Sequence, residues 1–238
     1  LSIEIPNSVT SIGPYAFRGT PWFNNKPNGL VYAGKVAYSY KGTMPSGTGI
    51  VLEEGTKGIA GCAFYNCSGL TSIEIPSSVT SIGSATFRGC TGLTSIEIPN
   101  SVTSIGRQTF YGCSSLISVE IPSGVTTIGG DAFRNCTRLT SVEIPNSVTS
   151  ISYGAFENCN SLTIVKVDRG TPPTLYESEN PFTNCANANL YVPIGCKGAY
   201  SGAKYWKDFR EIREIINTEA SDVIADGVYY LKNVEIHS

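Results

Sequence analysis

The sequence predicts a mostly β repeat solenoid, a stack of 23-residue coils with short helical turns and a C-terminal α/β cap. Three observations carry that prediction. The phrase SIEIPNSVTSIG at Ser2 returns, unchanged or nearly so, at Ser72, Ser95, Ser118 and Ser141. Cys67, Cys90, Cys113, Cys136 and Cys159 share one 23-residue step. Leu70, Leu93, Leu116, Leu139 and Leu162 keep it, and so do Phe64, Phe87, Phe110, Phe133 and Phe156. A unit this short cannot bury its apolar residues alone. It gains a core only by stacking on its neighbours.

Each stretch of the unit has a physical reading. In LTSIEIPNSVTSIG, Leu93 to Gly106, the apolar Leu93, Ile96 and Ile98 are interleaved with Ser95 and Glu97, the pattern of a strand with one buried face. Pro99 has no N–H to give a ladder, so the strand ends there, and PNS or PSS makes a turn. Val102 and Ile105 flank Thr103 and Ser104 in a second short extended stretch. Gly106 tolerates a positive φ where the chain bends. RQTFYGC then returns the chain in a helical turn with Phe110 and Cys113 inward. A 23-residue period falls in the leucine-rich-repeat range and is too short for helical-pair or propeller repeats.

The rhythm breaks twice. Phe17 and Phe64 are separated by two periods plus one residue, and the irregular stretch 19–47 fills one coil's length of chain. Within it, LVYAGKVAYSY reads as a hairpin turning at Ala33-Gly34-Lys35. Trp22, Phe23, Tyr32, Tyr38 and Tyr40 cluster there. They form either an aromatic binding platform or the packing of the hairpin onto the solenoid edge. The second break follows Leu162. Residues 1–161 therefore read as the solenoid and 162–216 as a cap. The cap contains a strand at Leu190 to Val192, a short helix from Cys196 and a last strand near Ile212 to Ile216. Tyr200, Trp206, Phe209 and Ile212 close the core, since an open solenoid end exposes apolar surface and strand edges. Residues 217–238 read as a linker followed by either the start of a further module or an extra cap strand. The chain opens inside a repeat, at Leu1-Ser2-Ile3-Glu4-Ile5-Pro6, which reads as a fragment.

Composition narrows the function. Net charge is −2 over 238 residues and the basic residues form no block, which disfavours nucleic acid. No apolar run is long enough to span a membrane. Five of the eight cysteines lie on the period. Equivalent side chains of stacked coils sit ~4.8 Å apart and point the same way, poor geometry for disulfides and for a converging zinc site. A buried ladder of small apolar thiols follows, with no metal and no cofactor. Cys62, Cys185 and Cys196 fall off the period, and a Cys185–Cys196 bridge remains open. The single histidine, His237, lies near the end of the chain, which disfavours Ser-His-Asp or Cys-His chemistry. Glu74 and Glu97 would stand ~5 Å apart, but on a flat, wet face with nothing to separate their pKa values. No catalytic residue is assigned.

Two surface columns remain. Outward strand positions align Glu4, Glu74, Glu97, Glu120 and Glu143, ended by Lys166. This is either a solvated face or an acidic strip for a basic protein segment. The positions after the phenylalanines align Arg18, Tyr65, Arg88, Tyr111, Arg134 and Glu157, rich in the residue types that interfaces favour.

The pattern L-x-x-I-x-I-P-x-x-V-x-x-I-G-x-x-A-F-x-x-C resembles the BspA-type leucine-rich repeat. Leu70 to Cys90, Leu93 to Cys113, Leu116 to Cys136 and Leu139 to Cys159 match it, except that Thr86 and Thr109 replace the alanine and Ser152 the glycine. The stretches GTPWFNN…GLVYAGKVAYSYKGT and LYVPIGCKGAY…YWKDF are similar to elements recurring in that family. The resemblance implies a secreted or cell-surface protein of a host-associated bacterium. Adhesin-like members bind host matrix or microbial proteins, and no catalytic residue is shared. The leading expectation is non-enzymatic recognition of extracellular proteins. The alternatives are a carbohydrate-binding or glycan-processing accessory module and a structural spacer. The residues expected to carry contact are Glu74, Glu97, Glu120 and Glu143, Arg88, Tyr111 and Arg134, and Trp22, Phe23, Tyr38 and Tyr40.

Overall fold

The computed structural model describes residues 3–175, 179–216 and 235–236. The coils stack with two parallel strand faces. On the first, Thr48–Val51 pairs with Leu70–Glu74. Ser95–Ile96, Ser118–Glu120, Ser141–Ile144, Ile164–Val167, Asn189–Pro193 and Glu211–Ile216 then follow as parallel neighbours. On the second, Ser104–Ile105, Thr127–Ile128, Ser150–Ile151 and Thr174–Leu175 run parallel. Gly58–Ile59 and Ser81–Ile82 do the same nearer the N-terminus. Between the faces the prolines make the expected turns. Val79, Val102, Val125 and Val148 N–H groups donate to the carbonyls of Pro76, Pro99, Pro122 and Pro145 at 2.9–3.0 Å.

The return segment differs from the helical turn expected of RQTFYGC. Every second N–H goes to the next coil: Ala85, Phe87 and Gly89 donate to the carbonyls of Arg107, Thr109 and Tyr111. The N–H groups between them close tight turns three residues back, as Arg88 does to Ala85 and Cys90 to Phe87. A helix would spend all of these donors within one coil. The segment instead forms a third hydrogen-bonded edge, and it needs two left-handed residues per coil to do so. One position holds Gly19, Asn66, Gly89, Gly112, Asn135, Asn158 and Asn184, all at positive φ. Glycine and asparagine are the residues that visit this region most easily. The other position holds Tyr15, Cys62, Ala85, Gln108, Asp131 and Gly154, with φ of 55–59°.

The core is a set of side-chain ladders. Phe64, Phe87, Phe110, Phe133, Phe156 and Phe182 stack at 5.2–5.5 Å with interplanar angles of 2–11°. All six are buried, each contributing roughly 1.5–3 kcal/mol relative to exposure. The thiols do more than fill space. Cys90, Cys113, Cys136 and Cys159 each donate S–H to the carbonyl of the phenylalanine in the preceding coil, at 3.1–3.2 Å. Cys185 continues the ladder by donating to Phe156 at 3.1 Å. The 26-residue gap before it is absorbed in the loop, so Cys185 is not off the stack. It forms no bridge to Cys196, and all eight thiols are free.

The hairpin, Gly29–Ala33 and Val36–Lys41, turns at Gly34-Lys35 and walls off one end of this core. Leu30, Tyr32, Ala37 and Tyr40 face the main core. Val31, Ala33, Val36 and Tyr38 face the other way, into a second small core with Ile12 and Ala60. Residues 3–18 cover that outer side and form no strand. They cross so close to the sheet that a Cβ on Gly58 would lie 1.9 Å from the Thr10 carbonyl oxygen. Equivalent positions in later coils carry Ser81, Ser104, Thr127 and Ser150. Glu4 therefore does not join the carboxylate column, and Val51, 69% exposed, takes the place before Glu74.

At the other end Trp206 and Phe209 meet Phe182 at 56° and 60° and terminate the ring stack. Tyr200 packs edge-on against Trp206, and its hydroxyl donates to the Arg169 carbonyl at 2.7 Å. The helix Lys197–Ser201 and the one-turn 3-10 helix Trp206–Asp208 bring these rings over the core end. Residues 217–234 and 237–238, part of the stretch read above as a linker followed by either a further module or an extra cap strand, lie outside the described residues. Glu235–Ile236 pairs antiparallel with Ile215–Ile216.

Candidate recognition surface

Among the described residues the first strand face carries the sheet with the most strands, and its polar column follows directly from register. Glu120 pairs opposite Glu143, Glu143 opposite Lys166, Lys166 opposite Tyr191, and Tyr191 opposite Arg213. Glu97 and Glu74 continue the column one 23-residue step at a time towards the N-terminus, both exposed. The face thus has an acidic stretch, Glu74 to Glu143, and a cation-bearing stretch beside the cap. Lys166 Nζ lies 2.7 Å from Glu143 Oε1 and 3.0 Å from Asp168 Oδ1. Burial alone would pull the Lys166 ammonium down, but its hydrogen bonds to Glu143 and Asp168 outweigh this and hold it above the usual lysine range. Burial pushes the Glu143 carboxyl up, and the nearby Asp168 adds to the shift while Lys166 opposes it.

The turn-edge column is tied together internally. The Arg88 guanidinium sits between the Tyr65 and Tyr111 rings, 5.6 and 4.6 Å from their centroids. It also donates to Gln108 Oε1. Gln108 donates onward to Asp131 Oδ2 at 3.3 Å. Arg134 bridges Asp131 Oδ1 at 3.3 Å and Glu157 Oε1 at 2.9 Å. Gln108 and buried Asp131 are the members that sequence reasoning missed. The signal was available in their shared place two residues before Phe110 and Phe133.

The insert aromatics divide. Tyr38 is 2% exposed, ringed by Phe17, Trp22 and Phe23, and its hydroxyl accepts from the Phe17 N–H at 2.8 Å. It is a core residue rather than part of an exposed platform. Tyr40 is half-buried on the main core. Trp22 and Phe23 are half-buried on the second core. Lys26 lies 4.9 Å from the Trp22 centroid, over one face of the ring. Lys41 Nζ spans 3.3 Å to the Phe23 carbonyl and 2.6 Å to that of Asn24, holding the Pro21–Asn24 helix to the hairpin.

The ladder thiols lie too deep for chemistry. Burial pushes Cys67 and Cys185 up to about 11 and Cys113 to about 12, and holds Cys90, Cys136 and Cys159 higher still. A thiolate is the reactive form, so these groups stay inert at neutral pH. Among the described residues no helix is long and apolar enough to cross a membrane, and no group of three potential ligands is placed to hold a metal ion.

A family model described as BspA type Leucine rich repeat region matches six copies, over residues 1–40 and 33–163. No curated protein matches the chain. Among solved structures, a leucine-rich repeat protein from T. pallidum is 31% identical, with a TM-score of 0.57 over 70% of this chain and 78% of that one. One from Bacteroides ovatus is 26% identical, with a TM-score of 0.58 over 90% of this chain and 47% of that one. The pneumococcal vaccine antigen PcpA is 21% identical, with a TM-score of 0.52 over 69% of this chain and 40% of that one, a likeness of fold alone. The chain spans less than half the length of the last two. With its period, its stacked coils and a family model matched over more than half its length, the chain belongs to the BspA-type leucine-rich repeat family.

Proposed function

We propose that this chain is a non-enzymatic recognition module that binds extracellular proteins, host matrix proteins among them, at or outside a bacterial cell surface. The observation that carries this reading is the carboxylate column Glu74, Glu97, Glu120 and Glu143, the first three exposed and Glu143 half-buried, repeated at one 23-residue step along the first strand face. Adjacent carboxylates ~4.8 Å apart in water repel by only about 0.9 kcal/mol, a cost the fold carries easily. Their fields add over a long flat surface, and a basic partner collects the whole column. The turn-edge column supports the reading less, because Arg88 and Arg134 already have partners within the chain.

The test is binding to a panel of immobilised matrix proteins, basic and acidic. The triple variant Glu74→Lys, Glu97→Lys, Glu120→Lys is expected to lose binding to the basic members while keeping its thermal midpoint. Binding that survives the reversal, or no binding to any member by the unaltered chain, overturns the assignment.

A further inference from the structure

The acidic column ends at a cleft that a flat face would not have. Lys166, Asp168, Pro193, Ile194 and Ile215 line a hollow of about 370 Å³ at the junction of the regular coils with the cap. Glu143 borders it through Lys166, and the charges at this edge are unbalanced. Two carboxylates, Glu143 and Asp168, share one ammonium, Lys166, whose side chain is 12% exposed against 44% and 35% for its partners. One negative charge is left over, on oxygens that still reach solvent. Arg213, farther along the column, does not neutralise it, because its guanidinium is held by Glu211 at 2.7 Å. The wall is apolar. Ile194 is 61% exposed, an unusual place for a large aliphatic side chain beside three charges. An acidic edge beside an aliphatic wall complements one kind of side chain, a lysine or arginine, whose methylene stem lies on carbon while its cation reaches oxygen.

The column adds a spacing. Strands ~4.8 Å apart put alternate carboxylates, such as Glu143 and Glu97, ~9.6 Å from each other. Three residues of polyproline II rise ~9.3 Å and return to the same side of the helix. In a β-strand the third residue points to the opposite face. A segment with a basic residue at every third position therefore presents its cations to alternate glutamates with almost no mismatch.

We infer that the strand face takes a basic polyproline-type segment of its partner protein, one cation seated on Glu143 at the mouth of the cleft, beside Asp168 and Ile194, and the next on Glu97. The inference rests on the recognition reading above and specifies what is recognised. The segment runs from the cleft towards Glu74, because the exposed carboxylates Glu120, Glu97 and Glu74 continue the column in that direction.

The experiment uses the whole chain and two labelled peptides of one composition in fluorescence anisotropy at low salt. One is four repeats of Arg-Pro-Pro, and the other carries its four arginines in a single block ahead of the prolines. The spaced peptide is expected to bind roughly three- to fivefold more tightly, with the difference shrinking at high salt as the charges are screened. Asp168→Asn and Ile194→Ser are each expected to weaken it roughly two- to fivefold. Both residues reach solvent, so an unchanged thermal midpoint separates binding from folding. If the two peptides bind alike and both substitutions are silent while the triple lysine reversal still abolishes matrix-protein binding, the anchored segment is wrong and the recognition reading stands. If matrix-protein binding also survives the reversal, the recognition reading falls too.

Discussion

Residues 2–13 and 95–106 are the same twelve letters, SIEIPNSVTSIG, folded two ways. In the second copy Ser95–Ile96 and Ser104–Ile105 are strands, and Ile96, Ile98, Val102 and Ile105 are all buried. In the first, described from residue 3, there is no strand, Ile3 is 36% exposed, and of the equivalent apolar residues only Ile12 is buried. The difference is the neighbour. Residues 95–106 lie between coils that repeat their own spacing, so Ser95–Ile96 and Ser104–Ile105 find parallel partners and the isoleucines are buried. The first copy is followed by a hairpin whose two faces are both apolar. That hairpin takes the next place in the stack and leaves residues 3–18 to cover its outer side. A repeat phrase in this chain is a half-site for pairing, and it becomes a strand only beside another coil.

The largest expected break in the comparison is chemical. The coil ladder holds six buried thiols, while the only cysteine near the second core, Cys62, is half-exposed. Folding raises the ladder pKa values above the ordinary value near 9. Above pH 9 the unfolded chain therefore releases protons that the folded chain retains, so stability is complete below pH 9 and falls as pH rises towards 11–12. Each thiol removes about 1 kcal/mol per pH unit in that window. Thermal melts from pH 8 to 10.5 should show a steep decline of the main transition. A flat profile would mean that the ladder is open to solvent.

Next comes Phe110→Ala, which opens a gap in the middle of the ring stack and should cost about 3–5 kcal/mol. In thermal denaturation the midpoint should drop by roughly 10 °C. Phe17→Ala removes a ring of the second core and should leave that main transition nearly in place. Equal losses from the two substitutions would show that the cores melt as one unit.

Gly58→Val sharpens the same boundary. The new Cβ would meet the Thr10 carbonyl, so residues 3–18 must lift from the sheet at a cost on the order of 2 kcal/mol. Limited trypsin digestion should then cut after Arg18 many times faster while the coils stay resistant. Unchanged cleavage would contradict the close crossing. The smallest effect is expected from Ala85→Gly. It relieves a left-handed alanine, φ 55°, against glycine's entropy cost, for a gain below about 1 kcal/mol. A clear loss of stability in denaturant titration would show that the turn edge requires a side chain there.

Most of the coil was legible in the letters. The spacing of Phe110 and Cys113 announced their burial, and Pro99 announced the end of its strand. The glutamates of the column could be aligned by counting. What escaped reading depended on partners in a different coil. The return segment looked helical because its local composition permits a helix, and its inter-coil hydrogen bonds have no local signature. Cys185 looked unpaired because a three-residue insertion hid its place behind Phe156. The cleft beside Lys166 could not be counted out either, since Ile194, in the turn after Asn189–Pro193, and Ile215, in the strand Glu211–Ile216, belong to cap elements with their own spacing.

The amino-acid order by itself determined that this chain stacks, at what period, and which side chains share the interior, because periodic apolar residues have no other way to leave water. The tertiary structure alone decided which copy of the phrase becomes a coil, which way the hairpin's two faces turn, and where the acidic column meets an apolar wall. Those outcomes depend on which backbone edge is already occupied when a segment arrives, and that is a property of neighbours in space.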